Sequence, residues 1–227
     1  MMPPTTRSKQ SDRESRRITT RDKLRRALEE FHAAGTRYTE ISVEKLSAAA
    51  DLTRTTFYAY FDDKVDLLVA WLEDVRVAAG SVPTEWTVRD RAPTRAELRK
   101  DVAAALARYR PHSAVLAAAR DTALFDTRAD AAYRAFVRTS IDDLSGHIER
   151  GCHGGWIQPE LPAAEVAMWL ASMVHRTLSA TPPLDDGAYE DRLDDYTDIF
   201  WNTLYRPAAG FVDGPSQAAT KSRPPPE

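Results

Sequence analysis

The chain contains 227 residues, of which 43% are hydrophobic and 29% are charged, and its formal net charge is −3. No stretch approaches the roughly 18 uncharged apolar residues of a membrane span, and the N-terminus lacks the apolar segment of a secretory signal. We therefore expect a cytoplasmic protein without a membrane partner. The single cysteine, Cys152, excludes an intrachain disulfide and zinc-finger spacing.

The charge is distributed unevenly along the chain. Residues 1–61 carry 12 Lys or Arg against 8 Asp or Glu, whereas residues 62–227 carry 19 against 26. A basic N-terminal segment on an acidic body suggests that one end meets a polyanion while the other stays soluble. The alternative is that both sets of charges simply form solvated surfaces.

The first third of the chain has the pattern of short amphipathic helices. A first helix is expected from about Thr20 to Ala34, because apolar residues recur on one face. Ser42 can cap a second helix over 43–50, and Thr53 begins a third with the sequence TRTTFYAYFDDK. A fourth helix over 63–79 carries an apolar stripe at helical spacing.

The remaining two thirds continue in the same way. Residues 80–93 are expected to form a linker, and a capping box at 94–97 begins a fifth helix. Further helices are expected at about 114–120, 133–151, 162–178 and 189–205. The pattern predicts an all-α fold of about nine helices.

These elements predict four regions. They are a basic disordered arm at 1–18, a helix-turn-helix DNA-binding domain at 19–62, a helical ligand-binding and dimerisation domain at 63–206 and a disordered tail at 207–227.

The third helix has aromatic side chains typical of a protein core on one face and polar side chains on another. Phe57 and Phe61 are four residues apart, so they share one face and can anchor the helix from behind. The short or bidentate side chains at its start suit contact with base edges in a major groove, which is wide enough to admit a helix. Tyrosine hydroxyls on another face can reach phosphate oxygens.

The segment ISVEKLSAAADLTRTTFYAYFDDKVDLLVAWLEDV resembles the DNA-binding segment of the TetR family of transcriptional regulators, with a match from about Thr20 to Val75. Within that family, TTFYAYF looks nearest to repressors of the ethionamide-regulator type. Two departures are the acidic pair Asp62 and Asp63, and Tyr60, where the family more often has His.

The resemblance implies a ligand-responsive regulator, most often a repressor, that binds double-stranded DNA as a homodimer through its last two long helices. The DNA contacts implied by position are Ser42, Thr53, Arg54, Thr55, Tyr58, Tyr60 and Lys64. The basic arm adds Arg16, Arg17 and Arg21, since flexible arms can follow phosphates.

The larger domain is expected to bind a small, apolar effector. Aromatic and apolar stripes on several helices would form the pocket, with tyrosine and threonine as polar groups. The candidate lining residues are Leu106, Tyr109, Phe125, Tyr133, Phe136, Val137, Trp169, Met173 and Thr177. The alternative for any one of them is that it belongs to an ordinary helical core.

No pattern predicts an enzyme, a metal site or a cofactor. The five histidines are scattered, and the common hydrolase, nucleotide-binding and zinc-protease motifs are absent from the sequence. Cys152 and His153 are adjacent, but a nucleophilic pair needs a third, orienting group. The alternative function is a helical enzyme or carrier of a hydrophobic molecule, and salt-dependent DNA binding would distinguish the two classes.

Overall fold

The computed structural model describes residues 5–79 and 85–206. The helices are α1 (Thr5–Ala33), α2 (Val43–Ala49), α3 (Arg54–Tyr58), α4 (Lys64–Ala79), α5 (Glu85–Val88), α6 (Arg95–Tyr109), α7 (Ser113–Ala123), α8 (Thr127–His153), α9 (Ala163–Leu178) and α10 (Asp186–Phe200). A π-helical turn, Trp201–Tyr205, continues α10, and short 3-10 turns lie at Tyr38–Glu40 and Arg110–His112.

The predicted all-α fold is confirmed, and the described residues contain no strand. The nine expected helices are present, and the short α5 is an addition within the expected linker. None of the helices in these two ranges is both long and apolar enough to cross a bilayer.

The largest difference from the sequence prediction is the start of α1. This helix begins at Thr5 rather than near Thr20, so the expected disordered arm is helical from Thr5 onward. The apolar stripe that revealed the helix begins only at Leu24, and Ile18 is the only large apolar residue between Thr5 and Lys23. The predicted tail at 207–227 lies outside the described residues.

The first three helices share one small core with the start of α4. Leu24, Leu28, Leu46, Phe57 and Phe61 are buried together. The indole N–H of Trp71 on α4 donates to the Arg21 carbonyl oxygen at 3.1 Å, which joins α4 to α1. These contacts hold the short α2 and α3, which are too short to be stable alone.

The C-terminal body is built around α8, which packs against α4, α7 and α9, while α10 packs on α6. A buried series of hydrogen bonds connects α5 to this body. The Trp86 indole donates to the Tyr205 hydroxyl at 2.7 Å, and that hydroxyl lies 2.6 Å from His147 Nε2. Three aromatic rings therefore pack around His147, since Trp156 also lies there at 5.0 Å between ring centroids.

Candidate DNA interface and effector cavity

The turn between α2 and α3 is fixed by hydroxyl caps at both helix starts. Ser42 Oγ accepts from the Lys45 N–H, and Thr53 Oγ1 accepts from the Thr56 N–H, each at 3.1 Å. Asp51 adopts a φ of 54°, a left-handed conformation that Asp tolerates better than most residues. Local sequence thus sets the angle between the two helices.

The two faces of α3 differ as expected. Phe57 and Phe61 are buried, with 5.7 Å between their ring centroids, so they anchor the helix to the core. Tyr58 is 48% exposed, and the Arg54 guanidinium lies 5.9 Å from the centre of its ring. Arg54 and Thr55 are also exposed, so α3 presents three polar side chains to solvent.

The remaining predicted contacts on this module are partly used within the protein. Ser42 and Thr53 use their oxygens as caps, which leaves the Ser42 hydroxyl able to donate outward. Thr53 Oγ1 also lies 2.9 Å from Thr56 Oγ1. Tyr60 is half-buried and packs against the core of the domain.

Lys64 makes more internal contacts than the sequence suggested. Its ammonium donates to the carbonyl oxygens of Tyr38, at 2.7 Å, and Ile41, and it lies 4.5 Å from the centre of the Tyr38 ring. Partial burial lowers the pKa of Lys64. The side chain therefore fixes the loop before α2 and leaves one N–H for a phosphate.

The three arm arginines differ in their surroundings. Arg16 is exposed, and the Arg17 guanidinium lies 5.6 Å from the centre of the Phe61 ring, beside the end of α3. Arg21 instead forms an ion pair with Asp74 of α4 at 2.8 Å. Arg21 is thus occupied as a link between α1 and α4, whereas Arg16 is exposed and Arg17 is half-buried against Phe61.

Asp63 is an acidic departure from the family pattern with a clear structural role. Its Oδ1 accepts from the backbone N–H groups of Val65 and Asp66, each at 2.8 Å, and caps α4. Its Oδ2 accepts from Arg128 near the start of α8 at 2.7 Å. Burial opposes ionisation, but the Asp66 N–H and the Arg128 guanidinium outweigh it and lower the pKa of Asp63.

The C-terminal body contains a partly open cavity of about 260 Å³ between α5, α6, α8, α9 and α10. Leu106 and Tyr109 line it, as expected. Phe136 lies behind Tyr109, with 5.9 Å between ring centroids, and Tyr133 and Val137 pack against the core rather than into this cavity.

Four other predicted pocket residues lie elsewhere. Phe125 is 83% exposed in the turn between α7 and α8, and Trp169 is 71% exposed on α9, so neither faces the cavity. Met173 and Thr177 line a separate surface groove between α9 and α10. The apolar stripe of α9 was wide enough to cover both an inner and an outer face, and the sequence alone does not distinguish them.

The cavity contains polar residues that the sequence prediction missed. His175 is buried in it, and its Nε2 lies 3.3 Å from the Ser140 hydroxyl of α8. The His175 ring also packs on Tyr109 and Phe136, at 6.2 and 5.6 Å between centroids. A histidine within the apolar stripe of α9 was the available signal, since such positions normally carry apolar residues.

The described ranges show no group of three or more His, Cys, Asp or Glu arranged to hold a metal. Cys152 donates its S–H to the Gln158 carbonyl oxygen at 3.1 Å, while His153 Nδ1 lies 2.7 Å from the Glu149 carbonyl oxygen. The two adjacent side chains therefore contact different carbonyl groups rather than each other.

Comparison with known proteins identifies the N-terminal module. Residues 24–71 match the family model described as bacterial regulatory proteins, tetR family. No curated protein matches the chain.

Several solved structures share the fold. A HlyIIR mutant superposes with a TM-score of 0.60 at 13% identity, covering 85% of this chain and 99% of that one. Salmonella enterica GusR gives 0.59 at 17% identity, with 82% and 95% covered. A TetR family transcriptional regulator from Chloroflexus aurantiacus J-10-fl gives 0.56 at 18% identity, with 83% and 94% covered.

These identities are low, so they show similarity of fold and not of ligand or operator. Together with the family match, they extend the likeness from the helix-turn-helix module to most of the chain. Residues 24–71 therefore match the N-terminal domain of the tetR family, and the chain shares its all-helical architecture with solved TetR-family regulators.

Proposed function

We propose that this protein is a DNA-binding transcriptional repressor that a small, mainly apolar molecule releases from its operator. The observation that carries the proposal is the two-sided α3. Phe57 of this helix and Phe61 just after it are buried, whereas Arg54, Thr55 and Tyr58 are exposed, and all five lie within the segment that matches the tetR family. The closer relation to ethionamide-regulator-type repressors stays a prediction.

The chemistry of the exposed side chains suits duplex DNA. A guanidinium can bind guanine edges or phosphate in a bidentate way, and hydroxyl groups reach either bases or backbone. Arg16 and Arg17 would add phosphate contacts from α1, because Arg17 lies beside Phe61 at the end of α3. The Ser42 hydroxyl and one N–H of Lys64 would add two more phosphate contacts.

The proposed regulator acts as a homodimer through α9 and α10. Met168 and Trp169 form an exposed apolar pair on α9, and Ile199 is exposed on α10. Large apolar side chains that are exposed on the surface favour association with a partner, here a second copy of the chain. A dimer of this module must separate its two α3 helices by about 34 Å to meet successive major grooves.

The path from cavity to DNA would pass through α4. Leu67, Leu68 and Leu72 of α4 are buried, and α4 packs on α7 and α8 of the body as well as on α1. An effector that prefers one arrangement of these helices would change the separation of the two α3 helices. The resulting loss of DNA-binding free energy would be set by the difference between the effector's binding free energies for the two arrangements.

The proposal is tested with the full chain and a fragment that it selects from genomic DNA. Binding should weaken as salt concentration rises, because phosphate contacts release counterions. The double substitution Arg54→Ala and Tyr58→Ala should reduce affinity by about 100-fold, since each lost contact is worth roughly 1–3 kcal/mol.

The double variant should keep its unfolding midpoint, because both side chains are exposed. Arg138→Ala, on the exposed surface of α8, is the matched control and should bind like the parent protein. Undiminished affinity in the double variant, or salt-independent binding by the parent, would contradict the proposal and favour a carrier or enzyme.

A further inference from the structure

The volume of the candidate effector cavity indicates the size of ligand that it can hold inside. An apolar cavity of about 150 Å³ holds one benzene molecule, which has six non-hydrogen atoms. The cavity here measures about 260 Å³. In proportion, it has room for a molecule of about ten non-hydrogen atoms without rearrangement of its walls.

The walls of the cavity are mainly apolar. They are formed by residues from five helices, among them Trp86, Val102, Leu106, Leu144, Val174 and Phe200. Most of these side chains are buried, so the surface that a ligand would cover is hydrocarbon and aromatic ring. Burial of a matching apolar surface would supply most of the binding free energy.

A cluster of hydrogen-bonding side chains lies among the polar residues of these walls. The Ser140 hydroxyl lies 3.3 Å from His175 Nε2, and both residues line the cavity together with Tyr109. Burial raises the pKa of Tyr109, although a hydrogen bond with Ser140 acts in the opposite direction. Three hydrogen-bonding side chains therefore meet at one place and can hold one polar group of a ligand.

The charges around the cavity do not favour an ion. Burial lowers the pKa of His175 to about 4, so its imidazole is neutral at neutral pH. Arg108 and Asp143 both line the cavity, and their formal charges cancel. A buried ionic ligand would lose its hydration without a net opposite charge to compensate it.

We infer that the effector is an uncharged, mainly apolar molecule of about ten non-hydrogen atoms. It carries one hydroxyl or carbonyl group that hydrogen-bonds to Ser140 and His175. This inference rests on the proposed function, since it names the ligand class of the proposed regulator.

Three commercial probes with the same ring system separate the alternatives, and their binding to the full chain is measured by calorimetry without DNA. 2-Naphthol has the expected size, polarity and charge, naphthalene lacks the hydroxyl, and 2-naphthoate is anionic at pH 7.5. We expect 2-naphthol to bind about three- to tenfold more tightly than naphthalene, which is the effect of one neutral hydrogen bond. 2-Naphthoate should bind more weakly than either.

Two substitutions locate the binding to this cavity. Ser140→Ala should remove most of the preference for 2-naphthol over naphthalene, while Ser145→Ala on the same helix should preserve it. Ala171→Phe should abolish binding of all three probes, because Ala171 lines the cavity and a phenyl group would fill it. Its unfolding midpoint checks that this variant remains folded.

Tighter binding of 2-naphthoate than of 2-naphthol would overturn the inference, as would an unchanged preference in Ser140→Ala or the absence of binding by all probes. The variant with Arg54→Ala and Tyr58→Ala should bind the probes like the parent. Failure of the probes with intact DNA binding would therefore reject the ligand class alone. Loss of DNA binding with intact probe binding would reject the proposed function alone.

Discussion

At the scale of single residues, Lys64 joins the loop before α2 to the start of α4. Replacement by Met would leave the carbonyl groups of Tyr38 and Ile41 without their donor. We expect Lys64→Met to lower the free energy of unfolding by about 1–3 kcal/mol, measured by urea titration. Lys45→Met, on the exposed surface of α2, should cost little. If Lys64 served only to bind DNA, the variant would keep its stability and lose affinity for the duplex.

His147 should make the stability of the protein depend on pH. Burial, assisted by the nearby Arg150, lowers the pKa of His147 to about 4, against about 6.5 in an unfolded chain. As the pH falls from 6.5 towards 4, the unfolded chain binds a proton that the folded protein does not, so stability decreases. The loss from this residue should reach about 3 kcal/mol near pH 4.

Chemical unfolding at pH 7 and pH 4.5 measures this effect. His147→Gln should lose less stability over the interval than the parent, because the amide does not titrate and can still bond to the Tyr205 hydroxyl. Equal losses in parent and variant would mean that other groups cause the acid sensitivity.

The sequence indicated which residues could form a buried or an exposed face better than it indicated what each residue contacts. Phe57 and Phe61 could be assigned to a buried face, because residues four apart lie on the same side of a helix and the neighbouring helices can cover that side. Trp169 could not be assigned in the same way, since an exposed tryptophan on a dimer face and a buried one have the same spacing. His175 and Ser140 are 35 positions apart, and only the packing of α9 on α8 brings them together.

At the scale of helices, Asp63 combines a cap on α4 with an ion pair to α8, and the two contributions can be separated. Asp63→Ala should lower the free energy of unfolding by about 1 kcal/mol, because it removes the cap. Arg128→Ala should cost less than about 1 kcal/mol, since both partners of this ion pair are half-exposed and screened by water.

Thermal unfolding at low and high salt measures which of the two substitutions costs more stability. Asp63→Ser is the informative control, because serine preserves a cap but not the ion pair, and it should resemble Arg128→Ala. A larger loss from Arg128→Ala than from Asp63→Ala would show that the link to α8 matters more than the cap.

Helix positions were predictable where an apolar stripe or a cap marked them. The capping box at Thr94 and Glu97 correctly marks the start of α6. The first part of α1 has no stripe, and α5 is only four residues long in a segment bounded by Gly80 and Pro93, so neither produced a periodic signal. The buried Trp86 was the available sign that this segment belongs to the body.

At the scale of the whole molecule, the exposed face of α9 tests the proposed dimer. Trp169→Glu should convert the dimer to a monomer, because a carboxylate in an apolar interface loses its hydration without a partner. Light scattering after gel filtration measures the mass. The operator affinity should fall with it, since a monomer reaches one half-site rather than two.

Leu124→Glu is the matched control, because Leu124 is similarly exposed but lies in the turn between α7 and α8. It should leave the mass of the assembly unchanged. A dimer that survives Trp169→Glu would place the interface on another face of the body.

The separation of the two faces of α3 has a consequence for evolution. Arg54, Thr55 and Tyr58 project into solvent and take no part in the buried core, so their replacement should cost the fold little. The cavity residues belong to other helices, from α5 to α10. Under the proposed function, a duplicated gene could therefore change its operator without changing its effector, so that the same molecule would control a new gene.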